Sequence, residues 1–367
     1  MHIDKIELLH LRLPLVHHFE TSFGRVYQQE PLIIRAYAEG FIGYGESAAS
    51  ANPYYSPETV HTCGHIIKDF LWPRLKNTNI ISPAELPGIF GQIRGNSIAK
   101  AGVEMALWDI YAQMNRKPLC EIYGGTDRAI PAGVSLGITD TPDELIAMIG
   151  KFVNKKYKRI KIKIKPGWDV RIVAQIRDRY PELPLTADAN AAYTPKDIKI
   201  FHELDKFNLM MIEQPLDEND LIYHARMQKE IKTPICLDES IKSVQDAAQA
   251  IELGSCRIIN IKQARVGGYT NAKTIHDICM DNNIPVWCGG LLESGIGRLH
   301  NIALATLPNF RLPNDISESG RYYKEDIIEP AVTVTENGEI EASNSAGLGA
   351  EILTERLKRY TISETEC

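Results

Sequence analysis

The segment LPLTADAN, residues 183–190, is a short apolar run that ends on acidic and polar residues. Two similar runs follow it along the chain, LMMIEQP at residues 209–215 and TPICLDES at residues 233–240. Short apolar runs that are bounded by turn residues are typical of strands buried in a parallel sheet. Because segments with helical periodicity separate these runs, the sequence predicts successive strand–helix units.

The same pattern extends in both directions from this segment. Amphipathic helical stretches, such as DVRIVAQIRDRY at residues 169–180, alternate with apolar runs. Repeated strand–helix units predict a parallel sheet, and eight of them predict a closed barrel. The eight runs are PAGVSLG (131–137), RIKIKIK (159–165), LPLTADAN (183–190), LMMIEQP (209–215), TPICLDES (233–240), CRIINIK (256–262), IPVWCGG (284–290) and LPNDIS (312–317).

The flanking segments lack this repeat. Residues 1–125 combine strand-like runs with a helical pattern at residues 99–119, so we expect a separate α+β unit there. We expect the barrel over residues 126–322 and a C-terminal segment, residues 323–367, that packs back on the first unit. The stretch HHFETSFGRV, residues 17–26, is predicted to be a mobile loop.

Composition narrows the class of protein. The 367-residue chain has 44% hydrophobic and 24% charged residues, which is ordinary for a globular protein. Its 41 basic and 47 acidic residues give a net charge of -6, so we expect neither nucleic acid nor a membrane as a partner. Seven scattered cysteines form no CxxC pair, and we find no signal-peptide pattern or membrane-length apolar run. These features predict a cytoplasmic protein.

Charged residues recur at the ends of the predicted strands. They are Lys163, Asp188, Glu213, Asp238 and Lys262. The first three intervals between them are 25 residues and the last is 24, and each is the length of one strand–helix unit. The C-terminal ends of barrel strands open on one face, so the spacing predicts a single ring of charges. Three adjacent carboxylates repel one another and need a cation. Oxygen ligands without His or Cys favour Mg²⁺, with Mn²⁺ second.

The lysines predict proton-transfer chemistry on a metal-bound carboxylate substrate. Lys163 and Lys262 lie on the predicted second and sixth strands, so they approach such a substrate from opposite sides. Metal coordination stabilises the enediolate that forms when the α-proton leaves. A lysine base must be neutral, and Lys161 and the metal both act to lower its pKa. Alternation alone leaves open whether the working pair is Lys161 and Lys163 or Lys163 and Lys165.

Residues beside the ring are candidates for orienting it or for contacting a substrate. Asn190 and Glu239 flank the acids, and they either orient these or cap the following helices. The predicted loop at residues 17–26 is a candidate lid over the barrel mouth. The candidate substrate contacts are Phe19, Phe23, Ser135, Gly289, Gly290, Leu292 and Ile296.

On these residues the sequence resembles the enolase superfamily, in its muconate-lactonizing-enzyme-like subgroup, over nearly the whole chain. The motifs that carry the resemblance are the K-x-K of RIKIKIK, DAN (188–190), IEQP (212–215), LDES (237–240) and NIKQARVGG (260–268). The resemblance implies an α/β fold, a modified TIM barrel of (β/α)₇β type with an N-terminal α+β capping domain. The Mg²⁺ ligands that it implies are Asp188, Glu213 and Asp238, and its acid/base pair is Lys163 and Lys262. The sequence PGWDV, residues 166–170, favours Lys161 and Lys163 as the K-x-K.

Three further stretches are similar to the o-succinylbenzoate synthase / N-succinylamino acid racemase family. They are IKPGWDV (164–170), WCGGLLESGIGRLHNIALATLPNF (287–310) and DISESGRYYKEDI (315–327). This likeness implies dehydration of 2-succinyl-6-hydroxy-2,4-cyclohexadiene-1-carboxylate to o-succinylbenzoate, a step toward menaquinone. Lys163 would then abstract the α-proton and protonate the leaving hydroxyl, while Lys262 stabilises the enediolate. Relatives in the superfamily are often homo-oligomers, so the likeness also allows a homo-oligomer.

Racemisation of N-succinylamino acids is the main alternative, and one protein can carry out both reactions. It needs both lysines to exchange protons, and Arg265 is expected either to tune Lys262 for this role or to pair with a loop acid. A dipeptide epimerase is less favoured, because DIS at residues 315–317 departs from the D-x-D of those enzymes. Muconate cycloisomerase also stays open. Two other classes of protein are disfavoured. A Schiff-base aldolase would not need the three acids, and a non-catalytic binding scaffold would not need the complete ring of charges.

Overall fold

Strands open the N-terminal part of the chain, and helices follow them. The computed structural model describes residues 1–21, 24–126 and 128–367. The strands of this part are β1 (Ile3–Leu11), β2 (Leu13–Thr21), β3 (Gly24–Gln29), β4 (Leu32–Ala38) and β5 (Phe41–Ser47). Its helices are α1 (Val60–Ile66), α2 (Trp72–Leu75), α3 (Leu86–Ile89), α4 (Ser97–Met114) and α5 (Leu119–Ile122). α4 coincides with the helical pattern that the sequence predicts at residues 99–119.

Glycines let the long helix α4 pack directly on strand β5. A Cβ atom on Gly45 would lie 2.1 Å from the carbonyl oxygen of Gly102, and one on Gly43 would lie 2.2 Å from that of Ala106. Side chains cannot approach backbone atoms so closely, so only glycine permits this spacing. The helix is therefore held against the sheet that β1, β4 and β5 form.

A parallel sheet of seven strands forms the second part of the chain. Its strands follow one another in sequence order, from β7 to β13, which is the order of a barrel. The strands here are β6 (Ala129–Pro131), β7 (Gly133–Leu136), β8 (Arg159–Lys163), β9 (Leu185–Asp188), β10 (Met211–Glu213), β11 (Ile235–Leu237), β12 (Ile258–Ile261) and β13 (Val286–Cys288). The helices are α6 (Pro142–Asn154), α7 (Val170–Arg179), α8 (Ile198–Leu204), α9 (Ile222–Glu230), α10 (Val244–Leu253), α11 (Gln263–Val266), α12 (Tyr269–Asp281) and α13 (Gly295–Ala305).

The eighth predicted strand, residues 312–317, is not a regular strand, and in this respect the prediction was wrong. Asn314 instead forms an isolated parallel bridge with Ala132. Its carbonyl oxygen accepts from the Gly133 amide at 2.7 Å, and its side-chain oxygen accepts from the Cys288 amide at 2.8 Å. A side chain thus replaces part of the backbone ladder. The segment joins β7 to β13 and completes the predicted (β/α)₇β barrel, with an irregular last strand.

The C-terminal segment contacts both preceding parts of the chain. Its elements are β14 (Ile328–Glu329), β15 (Glu339–Glu341), β16 (Glu351–Ile352), α14 (Thr354–Tyr360) and β17 (Thr361–Glu366). β15 pairs with β6 beside the barrel, and β17 pairs with β1 at the edge of the N-terminal sheet. The domain boundaries 1–125, 126–322 and 323–367 stay a prediction. No helix in the described part of the chain combines the length and the apolar character that crossing a bilayer requires.

The stretch at residues 17–26 was predicted as a mobile loop, but its residues 17–21 and 24–26 lie instead in the antiparallel hairpin strands β2 and β3. Phe19 pairs with Val26 and Glu20 with Arg25 across the two strands. Phe23 lies outside the described residues.

Buried carboxylates join the N-terminal part to the barrel. Glu46, at the end of β5, accepts hydrogen bonds from the Ser294 amide at 3.1 Å and the Gly297 amide at 3.0 Å, where α13 begins. Glu104, in α4, accepts from the Thr270 amide at 2.8 Å, in the first turn of α12. Burial raises the pKa of both carboxyl groups to about 7. As the pH approaches neutrality, ionising either buried carboxyl group therefore costs folding free energy.

We expect Glu104→Gln to stabilise the protein more at pH 8 than at pH 4.5, relative to wild type. The folded pKa of Glu104 exceeds its ordinary value of 4.5, so the stability that its proton gives is complete below pH 4.5 and lost as the pH rises through about 7. The amide keeps the Oε1 acceptor and has no proton to lose. Urea unfolding should show a relative gain of ~3 kcal/mol between the two pH values. The exposed Glu355→Gln is the control, and parallel pH profiles for Glu104→Gln and wild type would contradict the account.

Candidate active site

A cavity of about 220 Å³ opens at the C-terminal ends of the barrel strands. The hairpin of β2 and β3 contributes Phe19 and Arg25 to its wall, and the loop after β5 contributes residues from Ala48 to Ser56. The cavity is therefore enclosed jointly by the barrel and the N-terminal part. The predicted site residues that line it are Phe19, Ser135, Lys161, Lys163, Asn190, Lys262, Gly290 and Leu292.

Strand register brings the three acids of the predicted ring together. Asp188 is aligned with Lys163 on one neighbouring strand and with Glu213 on the other, and Asp238 follows the last residue of β11. All three acids are almost completely buried. The Asn260 side-chain amide donates to Glu213 Oε1 at 3.0 Å and to Asp238 Oδ1 at 2.9 Å, which fixes the spacing of these two carboxylates.

The two lysines stand at opposite ends of this row of acids. Lys163 Nζ donates to Asp188 Oδ2 and to Asn190 Oδ1, each at 2.6 Å. Lys262 Nζ donates to Asp238 Oδ2 and to the hydroxyl of Tyr55, each at 2.8 Å. Both amines line the cavity, so a ligand between them would meet one on each side.

Only two lysines of the run RIKIKIK enter the barrel. Lys161 and Lys163 are buried, whereas Lys165 follows the end of β8 and is exposed. Lys161 Nζ lies 2.9 Å from Glu213 Oε2 and 3.2 Å from Asp188 Oδ2. The geometry thus places Lys161 and Lys163, and not Lys165, at the ring of acids.

The flanking residues hold the ring in place. Asn190 accepts from Lys163 and donates to Glu239 Oε1 at 2.8 Å, so it links the first lysine to the third acidic segment. Arg265 pairs with Asp238, the partner of Lys262, and therefore with an acid of the ring instead of a loop acid. Its guanidinium also donates to the Ile241 carbonyl at 2.8 Å, which fixes its orientation.

Burial and mutual repulsion raise the pKa of two of the carboxyl groups at the site. Burial and the neighbouring Asp188 raise the pKa of Glu213 to about 8, and burial and Asp238 raise that of Glu239 to about 7. At Lys262, burial lowers the pKa, but the facing carboxylate of Asp238 outweighs it and the net pKa is raised.

The donor set of the ring fits a hard divalent cation. Three buried carboxylates, without His or Cys, are the ligands that Mg²⁺ prefers. Burial and the neighbouring Asp188 disfavour the carboxylate form of Glu213, and a bound cation would favour it. In the described part of the chain, no three His, Cys, Asp or Glu side chains form a ready metal cluster. The lysine and arginine side chains hold carboxylate oxygens there.

Two predicted substrate contacts lie elsewhere. Gly289 does not line the cavity but packs against the side chains of Asn260 and Lys262. Ile296, in the first turn of α13, is completely buried in the core. Both predictions rested on the glycine-rich stretch CGGLLESGIG, of which the four consecutive residues 290–293 line the cavity.

Sequence reasoning missed several residues of the site, among them Tyr55, Asn260 and Asp315. Asn260 lies two residues before Lys262, so strand alternation places it on the same inward face and could have identified it. Asp315 was considered only as part of a departure from D-x-D, yet it accepts from Ser135 Oγ at 2.7 Å. Tyr55 comes from a loop of the N-terminal part, and no periodic pattern marks it.

Comparisons with known proteins identify relatives of both parts of the chain. Residues 144–356 match the family described as Enolase C-terminal domain-like, and residues 5–124 match the Mandelate racemase / muconate lactonizing enzyme N-terminal domain. An o-succinylbenzoate synthase from Geobacillus kaustophilus is 49% identical, over 98% of this chain and 96% of that protein. An N-succinylamino acid racemase from Amycolatopsis is 41% identical, over 99% of this chain and 99% of that protein. A crystal structure of an enolase superfamily member from Listeria innocua has a TM-score of 0.97 and 43% identity, and covers 100% of this chain and 99% of that one.

We expect Gly289→Ala to destabilise the protein, because Gly289 supports Lys262 and Asn260. The added Cβ would lie 2.3 Å from Asn260 Oδ1 and 2.7 Å from Lys262 Cε. Overpacking of this kind costs ~1–3 kcal/mol, which urea unfolding measures. Gly88→Ala is the matched control, since its Cβ meets no atom within 4 Å. A Gly289→Ala protein that unfolds at the wild-type urea midpoint would refute this packing.

Proposed function

The chain belongs to the o-succinylbenzoate synthase / N-succinylamino acid racemase family of the enolase superfamily, and we propose that it is itself an o-succinylbenzoate synthase. The reaction is the dehydration of 2-succinyl-6-hydroxy-2,4-cyclohexadiene-1-carboxylate. The observation that carries this proposal is the pair of buried lysines on opposite sides of three buried carboxylates. The name of the Geobacillus kaustophilus relative, 49% identical over nearly the whole chain, supports the choice of substrate.

Enzymes of this family generally depend on a divalent metal. We propose Mg²⁺, with Mn²⁺ as a substitute, held by Asp188, Glu213 and Asp238. Bound there, the ion would withdraw charge from the substrate carboxylate and make the adjacent C–H group more acidic. Asn260 supports this assignment, because its amide holds two of the three carboxylates at a fixed spacing.

Lys163 is the proposed base and acid of the dehydration. As a neutral amine it takes the α-proton, and as an ammonium it gives a proton to the departing hydroxyl on the same face. The side-chain oxygen of Asn190 accepts from Lys163 Nζ at 2.6 Å and so directs the amine. Lys262, on the other side, keeps its proton and offsets the negative charge that develops on the substrate carboxylate. The Tyr55 hydroxyl positions Lys262.

The substrate side of the cavity combines apolar and polar wall residues. We propose that Phe19 and Leu292 cover the ring of the substrate, while Ser135 and Gly290 lie near its polar groups, since all four line the cavity. The partner is then a small carboxylate. We also propose a cytoplasmic location and a role toward menaquinone, and free cysteines at all seven positions fit a reducing compartment.

Racemisation of N-succinylamino acids is the second candidate activity. It requires Lys262 to exchange protons instead of staying charged. The Arg265 guanidinium supports this candidate, because it shares Asp238 with Lys262 and lowers the hold of that carboxylate on the lysine proton. The Amycolatopsis relative that is named an N-succinylamino acid racemase supports it as well.

We expect the purified protein to convert the cyclohexadiene carboxylate to o-succinylbenzoate, followed by ultraviolet absorbance, with kcat/KM of about 10⁴ M⁻¹s⁻¹ or more. EDTA should abolish turnover, and Mg²⁺ should restore it. Lys163→Ala should lower kcat by about 10²–10⁴-fold, because it removes the proton-transfer group. The exposed Lys165→Ala, from the same run, should keep nearly full activity. Absence of turnover by folded, Mg²⁺-loaded protein would reject the proposal.

Arg265→Gln should reduce racemisation of N-succinylamino acids more than dehydration. The neutral amide no longer competes with Lys262 for Asp238, so Lys262 holds its proton more firmly. Only the two-base reaction needs that proton to move. The ratio of the two kcat/KM values, measured for wild type and variant, reports the effect. Equal losses of kcat/KM in both reactions would contradict this assignment of Arg265.

A further inference from the structure

A second layer of charges adjoins the ring of acids and consists of Arg159, Lys161 and Asp315. Arg159 and Lys161 are buried, and Asp315 lines the cavity. Arg159 is completely buried, and within the described residues none of its guanidinium nitrogens makes a hydrogen bond. It stacks on the Trp287 ring at 4.5 Å and lies 3.5 Å from Asp315 Oδ1. Ser135 Oγ donates to both carboxylate oxygens of Asp315, at 2.9 and 2.7 Å.

Lys161 is shared between this layer and the ring. Its Nζ lies 3.1 Å from Asp315 Oδ2, 2.9 Å from Glu213 Oε2 and 3.2 Å from Asp188 Oδ2. Of these three carboxylates, only Asp315 lies outside the proposed set of metal ligands. A lysine ammonium and a divalent cation are therefore rivals for the same oxygens of Glu213 and Asp188, and Asp315 draws the lysine in the other direction.

We propose that Asp315 is a positioning residue for divalent-metal binding, which acts by sharing the Lys161 ammonium with Asp188 and Glu213 and so weakening its hold on their oxygens. The inference rests on the metal ligands named in the proposed function. Arg159 supports this role of Asp315, because a buried cation without another acceptor favours an anion beside it. Asp315 thus remains paired with two cations whether or not the ring holds a metal.

The test is calorimetric titration of MgCl₂ into substrate-free protein, wild type and Asp315→Asn. The carboxamide keeps the size of the side chain and an oxygen that can accept from Ser135. We expect the Kd for Mg²⁺ to rise by about tenfold or more, as for other groups that orient metal ligands. Asp281→Asn is the matched control: it makes the same change of charge at an exposed residue that does not line the cavity, and it should alter Kd by less than about twofold.

Lys161→Met tests the competition without a change at Asp315. This variant should bind Mg²⁺ at least as tightly as wild type, and in its background Asp315→Asn should change Kd by less than about twofold. Weaker binding by Lys161→Met, or an equal effect of Asp315→Asn in both backgrounds, overturns the route through Lys161. Circular dichroism confirms that each variant is folded.

The outcomes separate this inference from the proposed function. Wild-type protein that binds no Mg²⁺ contradicts the metal assignment on which both rest. Wild-type protein that binds Mg²⁺ with the same Kd as Asp315→Asn overturns only the role of Asp315, and the assignments of Lys163 and Lys262 then stand.

Discussion

The site depends on the pairing of buried charges of opposite sign. Three acids with almost no exposure to water cannot share the barrel mouth unless cations offset them. Lysines and an arginine do so here, and each contacts at least one of the three carboxylates. Because a divalent cation would use the same oxygens, it would compete with the lysine amines for them. Metal binding would therefore free the amines from their carboxylate partners.

The fold holds these charges in place by the register of the parallel strands and by close packing. Parallel pairing sets Lys163, Asp188 and Glu213 side by side, so their alignment needs no flexible loop. Glycines let neighbouring segments pack closely, and this packing confines the other side chains of the site. Gly289 packs on the stem of Lys262, and Gly43 and Gly45 seat α4 on the sheet whose following loop carries Tyr55. Rigid support of this kind is what a proton-transfer site requires.

The sequence predicted the barrel and its ring of charges because both follow from one period. A spacing of one strand–helix unit places Asp188, Glu213 and Asp238 at neighbouring strand ends, whatever the details of the loops. The irregular eighth segment could not be predicted, since the Asn314 side chain takes a backbone role there. Tyr55 depends on how the N-terminal part packs on the barrel, and Asp315 on contacts between distant strands. Neither kind of contact leaves a periodic trace in the sequence.

The most direct test of this account is a crystal structure of the protein with both Mg²⁺ and o-succinylbenzoate bound. The account predicts Mg²⁺ among the carboxylates of Asp188, Glu213 and Asp238, and the ligand carboxylate between Lys163 and Lys262. It further predicts that Nζ of each lysine has turned from its aspartate toward the ligand. A metal bound elsewhere, or two lysines that still pair with Asp188 and Asp238 while the ligand is in place, would contradict it.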